Sequence, residues 1–224
     1  MGAESFVVDV AGSQTTARFY RAEGARLALI LAHGAGAPQT HPWMVRMAGA
    51  LASRSVDVFT FNFLYADARR RLPDKAPLLE ATWRAVAVAV RARSEVARRK
   101  LFIGGKSMGG RIATQVAAAG PDAIADLGGL VLLGYPLHPP GRPDKLRASH
   151  LARVTAPMLF VQGSRDAFGS PAELEPFVSP LASRGTRIFA VEGGDHSLVP
   201  LKSSGLDLEQ VIARVADEIA AFTA

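Results

Sequence analysis

The 224-residue sequence predicts a single α/β domain, residues 1–224, built on a mostly parallel, doubly wound sheet with helices on both faces. Three observations lead there. Short apolar runs alternate with longer amphipathic runs through most of the chain. The intervals between the short runs are long enough for right-handed βαβ crossovers. At Gly105-Lys106-Ser107-Met108-Gly109 an apolar run passes directly into a helix-like run, as at a strand-to-helix turn.

The elements follow in order. Residues 6–10 and 16–20 are β-rich runs around Ala11-Gly12-Ser13 and read as an N-terminal hairpin on an antiparallel edge. Residues 27–32 are continuously apolar, as in a strand covered on both faces, and stop at His33-Gly34-Ala35-Gly36. Residues 42–54 read as a helix with Pro42 near its first turn and Met44, Met47, Ala48 and Leu51 on one face. A strand over 56–61 leads through an arginine-rich polar stretch, 64–75, to a long alanine-rich helix expected over 77–99. A strand over 101–104 then enters the glycine-rich turn, and a helix over 111–119 leaves it.

The strand over 130–134 opens into Tyr135-Pro136-Leu137-His138-Pro139-Pro140-Gly141, whose three prolines forbid a regular ladder. A strand over 157–162, a helix over 171–181, a last strand over 187–191 and an amphipathic helix over 207–222 complete the series. No repeat or linker interrupts it.

Composition excludes several classes of function. There is no cysteine, so disulfides, a thiol nucleophile and thiolate metal sites are absent. The net charge of +6 would suit a polyanion. Yet the densest basic clusters, Arg69-Arg70-Arg71 and Arg91 to Lys100, carry no interleaved aromatics on which bases could stack, so no nucleic-acid partner is expected. The stretch Met1 to Phe6 is acidic where a secretion signal would be basic, and the apolar runs 27–32 and 85–90 are too short to span a bilayer. A cytoplasmic protein with a small-molecule partner and no membrane contact is the expectation.

The candidate chemistry begins at Ser107. A serine in a tight strand-to-helix turn has its hydroxyl presented at the carboxyl edge of the sheet, and glycines beside it keep Cβ atoms from colliding with the neighbouring strand and helix. The pentapeptide alone arises by chance, so its context decides. An acid and a histidine follow in the order Ser, Asp, His, each just past an expected strand. His196, in Gly194-Asp195-His196-Ser197, is the candidate base that takes the serine proton. Asp166, in Gly163-Ser164-Arg165-Asp166, is the candidate orienting carboxylate. Asp195 is adjacent to His196 in sequence and cannot easily reach behind its ring, so it reads as a loop cap.

A tetrahedral intermediate needs two fixed N–H donors, and the amides of Met108 and of Ala35, or Gly34 in its place, are the candidates for this oxyanion hole. Gly34, Lys106 and Tyr135 are the candidate substrate-binding residues. Lys106, Arg111, Lys145, Arg147 and Lys202 all lie near motif loops and admit an anionic substrate, although in so basic a chain most are expected to be solvated.

With Ser107, Asp166 and His196 assigned, the whole chain resembles the α/β-hydrolase superfamily, and within it the compact dienelactone-hydrolase-like branch. Four strings narrow the likeness: His33-Gly34-Ala35-Gly36-Ala37-Pro38, Gly104-Gly105-Lys106-Ser107-Met108-Gly109-Gly110-Arg111, Gly134 through Gly141, and Gly194-Asp195-His196-Ser197. Together they look like bacterial members of the Tex30/KANSL3-like hydrolases. One departure is visible at Gln39-Thr40-His41, where similar sequences usually carry an acidic residue and a serine, and it bears on the pocket wall. The resemblance implies a Ser-His-Asp triad, no metal and no organic cofactor. The short segment between residues 134 and 157 leaves no room for a cap domain, which favours small soluble esters, thioesters or acyl conjugates as substrates. Transfer of the acyl group to an acceptor other than water uses the same groups, and a non-catalytic interaction module on the same fold is the other alternative.

Overall fold

The computed structural model describes residues 2–120 and 124–224. Strands β1 (Glu4–Val10) and β2 (Ser13–Tyr20) alternate buried and exposed side chains, the pattern of an edge with one wet face. They pair antiparallel around Ala11 and Gly12, both at positive φ, the geometry of a tight hairpin turn. Strand β3 (Leu27–Ala32) is apolar and buried throughout. Strand β4 (Val56–Phe61) lies beside it and joins β2 to the sheet. Strands β5 (Lys100–Lys106), β6 (Leu127–Leu133), β7 (Met158–Gly163) and β8 (Arg187–Val191) extend the parallel part, giving the order β1-β2-β4-β3-β5-β6-β7-β8.

Helices cover both faces and each face has its own core. On one side α1 (Pro42–Ala52) and α6 (Leu208–Thr223) bury Met44, Met47, Leu51, Val215 and Ile219 against Leu29, Leu31 and Val131. On the other, α3 (Ala76–Arg91), α4 (Met108–Ala118) and α5 (Pro171–Val178) bury Trp83, Val86, Ile112, Val116 and Leu174 against Ile30, Ile103 and Phe160. A single turn, α2 (Leu64–Asp67), opens the arginine-rich polar stretch.

Two helices stop three residues or more before their expected ends. The helix anticipated over 77–99 stops at Arg91, whose guanidinium folds back onto the carbonyl of Arg99 at 2.8 Å. Beyond it Arg93 is drawn to Glu4 at 2.8 Å and lies over the Phe6 ring, while Val96 is turned fully into the core. Those contacts bring the chain down to the sheet in time to start β5, which a straight helix could not do. The helix anticipated over 171–181 ends at Val178 and continues as a 3-10 turn over Ser179–Arg184, because Pro180 lacks the N–H that the α-helical ladder requires there.

The carboxyl ends of β3, β5, β7 and β8 all face one edge, where a doubly wound sheet binds its ligands. Among the described residues the only helical segment between β6 and β7 is the 3-10 turn Leu151–Arg153, and no cap domain covers that edge.

Candidate active site

Ser107 occupies the one-residue junction between β5 and α4 with φ of 50° and ψ of −118°, a region sparsely populated by any residue with a side chain. Close packing enforces that geometry. A Cβ at Gly109 would lie 2.6 Å from the carbonyl oxygens of both Ala32 and His33, and one at Gly105 would collide with the Ala32 carbonyl. The start of α4 therefore rests directly on the end of β3. The backbone N–H of Ser107 donates to the Leu133 carbonyl at 2.9 Å, and its hydroxyl makes no capping bond to the helix, so Oγ stays available at the edge.

His196 arrives on the loop after β8. Its Nε2 lies 2.8 Å from Ser107 Oγ, and its Nδ1 lies 2.8 and 3.0 Å from the two carboxylate oxygens of Asp166. With Nδ1–H donating to the carboxylate, Nε2 is left as the acceptor for the serine proton. Asp166 is 4% exposed. Its carboxylate also accepts the side-chain amide of Gln162 and the Phe168 N–H, both at 2.8 Å. These bonds aim the carboxylate and compensate its burial.

The imidazole is further confined by the Phe168 ring, stacked at 4.1 Å between centroids. Trp43 Nε1 donates to the Ser197 carbonyl at 2.9 Å, tying the loop to α1. Asp195 faces its own loop and accepts the N–H groups of Ser197 and Val199 at 2.7 and 3.0 Å, the capping role its position suggested.

The loop after β3 approaches Ser107 from the opposite side. Its carbonyls at Gly34 and Ala35 accept from the Tyr65 hydroxyl at 3.4 and 3.1 Å. Burial, with help from Asp74, pushes the Tyr65 pKa up to about 12, so it remains a donor. His33 holds the same loop from inside. It is fully buried, its Nδ1–H donates to the Gly34 carbonyl at 2.7 Å, and its Nε2 accepts the Phe63 N–H at 3.1 Å. Burial pushes its pKa down to about 4, so the ring is neutral. Among the described residues, the amides of Gly34, Ala35 and Met108 donate to no other group.

These elements border a cleft of about 550 Å³ lined by Gly34, Ala35, Lys106, Ser107, Met108 and His196, with Arg111, Arg147 and Phe168 on its walls. A larger hollow of about 1110 Å³ between β2 and the end of α1 carries no nucleophile–base pair. Chemistry, not size, singles out the smaller one.

The sequence-predicted residues fall into two groups. Ser107, Asp166 and His196 are brought into one hydrogen-bonded relay, and Ala35, Met108, Gly34 and Lys106 line the cleft around it. Lys106 is half-buried, with its ammonium 3.4 Å from the His196 carbonyl and over the Trp43 ring. Burial lowers its pKa against the opposing pull of Asp166 and Asp195.

Tyr135 does not join them. Only 1% exposed, it does not line the cleft and donates its hydroxyl to the Arg147 carbonyl at 2.7 Å, so the expectation of a substrate contact is corrected to a buried strut. Gln39 is likewise turned inward, bonding Thr16, Thr60 and Asn62, while His41 lines the cleft. Gln162, Phe168, Trp43 and the bracing role of His33 escaped the sequence. A polar Gln162 at the end of a buried strand was the one available signal. Among the described residues no three His, Asp or Glu side chains converge as a metal site would require, and no helix is long and apolar enough to cross a membrane.

Residues 25–224 match the family described as alpha/beta hydrolase domain. Solved structures similar to the chain share its fold end to end at low identity. An alpha-beta serine hydrolase homologue from Coxiella burnetii is 18% identical, with a TM-score of 0.74 over 100% of this chain and 99% of that one. A dienelactone hydrolase from Anabaena variabilis is 19% identical, with a TM-score of 0.73 over 99% and 96%. A serine hydrolase without lid from Xanthomonas campestris is 18% identical, with a TM-score of 0.72 over 97% and 94%.

Proposed function

Because the chain belongs to the alpha/beta hydrolase family, we propose that it is a serine hydrolase cleaving a small carboxylic ester or thioester through an acyl-enzyme. The observation that carries this reading is the unbroken relay Asp166–His196–Ser107, every link at 3.0 Å or less. In acylation Ser107 Oγ bonds to the acyl carbon as its proton passes to His196 Nε2. The new oxyanion faces the unpaired amides of Met108 and Ala35. Collapse breaks the bond to the alcohol or thiol, which leaves with the proton from His196. Water then repeats the sequence, losing a proton to His196 and freeing the acid and Ser107. Asp166 stays ionised and holds the imidazolium.

The uncapped cleft and the solved relatives named as dienelactone hydrolase and lidless serine hydrolase favour short, soluble acyl substrates. We take the continuous sheet to make residues 1–224 one domain acting in the cytoplasm without metal or organic cofactor. The four motif strings support a likeness to the Tex30/KANSL3-like hydrolases. A fluorophosphonate probe tests nucleophile activation without knowledge of the substrate. Labelling of the natural protein and not of Ser107→Ala or His196→Ala is expected; a folded natural protein that resists labelling overturns the reading. A clear preference for long acyl chains over short ones would sink the small-ester assignment.

A further inference from the structure

Two arginines share the cleft with Ser107 and have no use in the relay. Arg111 stands one helical turn beyond the serine, its N–H closing the first bond of α4 onto the Ser107 carbonyl at 3.0 Å. The two residues are therefore one turn apart where α4 begins. Arg147 comes from the wall after β6, its backbone fixed on both sides: its N–H donates to the Leu137 carbonyl at 2.8 Å and its carbonyl accepts the buried Tyr135 hydroxyl. Both line the cleft.

Among the described residues neither guanidinium makes a hydrogen bond or an ion pair, whereas Arg54, Arg70, Arg93, Arg99 and Arg187 each hold a carboxylate. Asp74, the acidic residue lining the cleft, is already committed to Arg70 at 2.5 Å and to the Tyr65 N–H at 3.0 Å. His150, bonded to Thr114 behind α4, brings no negative charge. Burial, and then the charge of Arg147, push the Arg111 pKa down. Two half-buried cations facing each other without a counter-charge are costly in the empty protein, and an anion between them removes both the repulsion and the missing hydrogen bonds.

We propose that Arg111 and Arg147 form an anion subsite, so that the substrate is an ester or thioester bearing a second group, a carboxylate, within about one helical turn of the scissile carbonyl. This rests on the hydrolase reading and narrows its substrate class. Planar guanidiniums suit a carboxylate because each presents paired N–H donors.

The test compares matched esters. Monoethyl glutarate against ethyl pentanoate places the charge on the acyl side, and 4-acetoxybenzoate against 4-acetoxybenzamide places it on the alcohol side. The natural protein should favour the charged member of at least one pair by roughly ten- to a hundredfold in kcat/KM, the worth of a charge-assisted contact. Arg111→Gln with Arg147→Gln should bring that ratio to near one. Arg111→Lys with Arg147→Lys, which keeps the charge, should retain part of it and guards against a misfolded variant. A natural ratio near one in both pairs overturns the proposal, as does a ratio that survives the double Gln change. If no ester turns over, calorimetry of glutarate on the Ser107→Ala protein separates the two readings. Binding that is lost with both arginines upholds the subsite while hydrolysis fails, and binding indifferent to them sinks both.

Discussion

The loops after β3 and β8 meet at the same sheet edge, and each carries a histidine, but the two rings are held by different kinds of partner. His33 has backbone on both nitrogens, the Gly34 carbonyl and the Phe63 N–H. His196 has a carboxylate on one and a hydroxyl on the other. A ring bonded to amides that cannot exchange protons is a brace; a ring bonded to groups that can gain or lose them is a relay. Residue type decides neither role, and partner type decides both.

The comparison breaks most sharply if the relay can be removed without loss. Ser107→Ala or His196→Ala should lower kcat on any productive ester by about a millionfold, and Asp166→Asn by about ten-thousandfold. The melting temperature of His196→Ala should change little, because its ring is partly exposed and supports no buried amide.

Next in size is the contact that holds the loop after β3 in register with the serine. Gly109→Ala puts a methyl group 2.6 Å from the Ala32 and His33 carbonyls, where only backbone can give way. A loss of about 3 kcal/mol in urea denaturation is expected, with activity falling alongside.

The brace is then tested on its own. His33→Ala strands the Phe63 N–H in the core and should cost about 2 kcal/mol of stability, while kcat falls through a loosened Ala35 amide. That is the reverse of the His196→Ala pattern. The same ring gives a pH signature. Its pKa of about 4 in the folded protein lies below the ordinary 6.5, so between those values the unfolded chain binds a proton that the folded chain refuses. Stability is full above about 6.5 and declines as the pH falls toward 4, with His150, lowered to about 4 chiefly by burial, acting in the same direction. Urea midpoints measured across that window should rise with pH, and His33→Gln should flatten the rise. The smallest effect is expected at Phe168→Leu, which removes the stack on His196 and should slow turnover two- to tenfold, a contact of about 1 kcal/mol.

Much of this was legible in the chain. Strand β3 coincides with its apolar run end to end, as a strand buried on both faces should, and β4 keeps its expected bounds although Asp57 and Thr60 lie buried within it, each hydrogen-bonded. The serine turn was legible because its glycines answer to steric contacts. What stayed hidden depends on where folding sends a side chain. Tyr135 sits beside a motif loop, yet its ring turns under the loop. Val96 looks like one more helical residue until the core claims it. Arg111 and Arg147 are two of many basic residues, and their place in the cleft beside Ser107, without partners, distinguishes them only in three dimensions. Gln162 and Phe168 contribute through contacts with Asp166 and His196 that sequence spacing does not encode.

The backbone at Ser107 has one further consequence. A residue held at φ of 50° and ψ of −118° is strained by about 1–3 kcal/mol unless it is glycine. Ser107→Gly would therefore both silence the protein and make it more robust to heat. At this position the hydroxyl is kept at the expense of fold stability, so activity and robustness to heat pull in opposite directions.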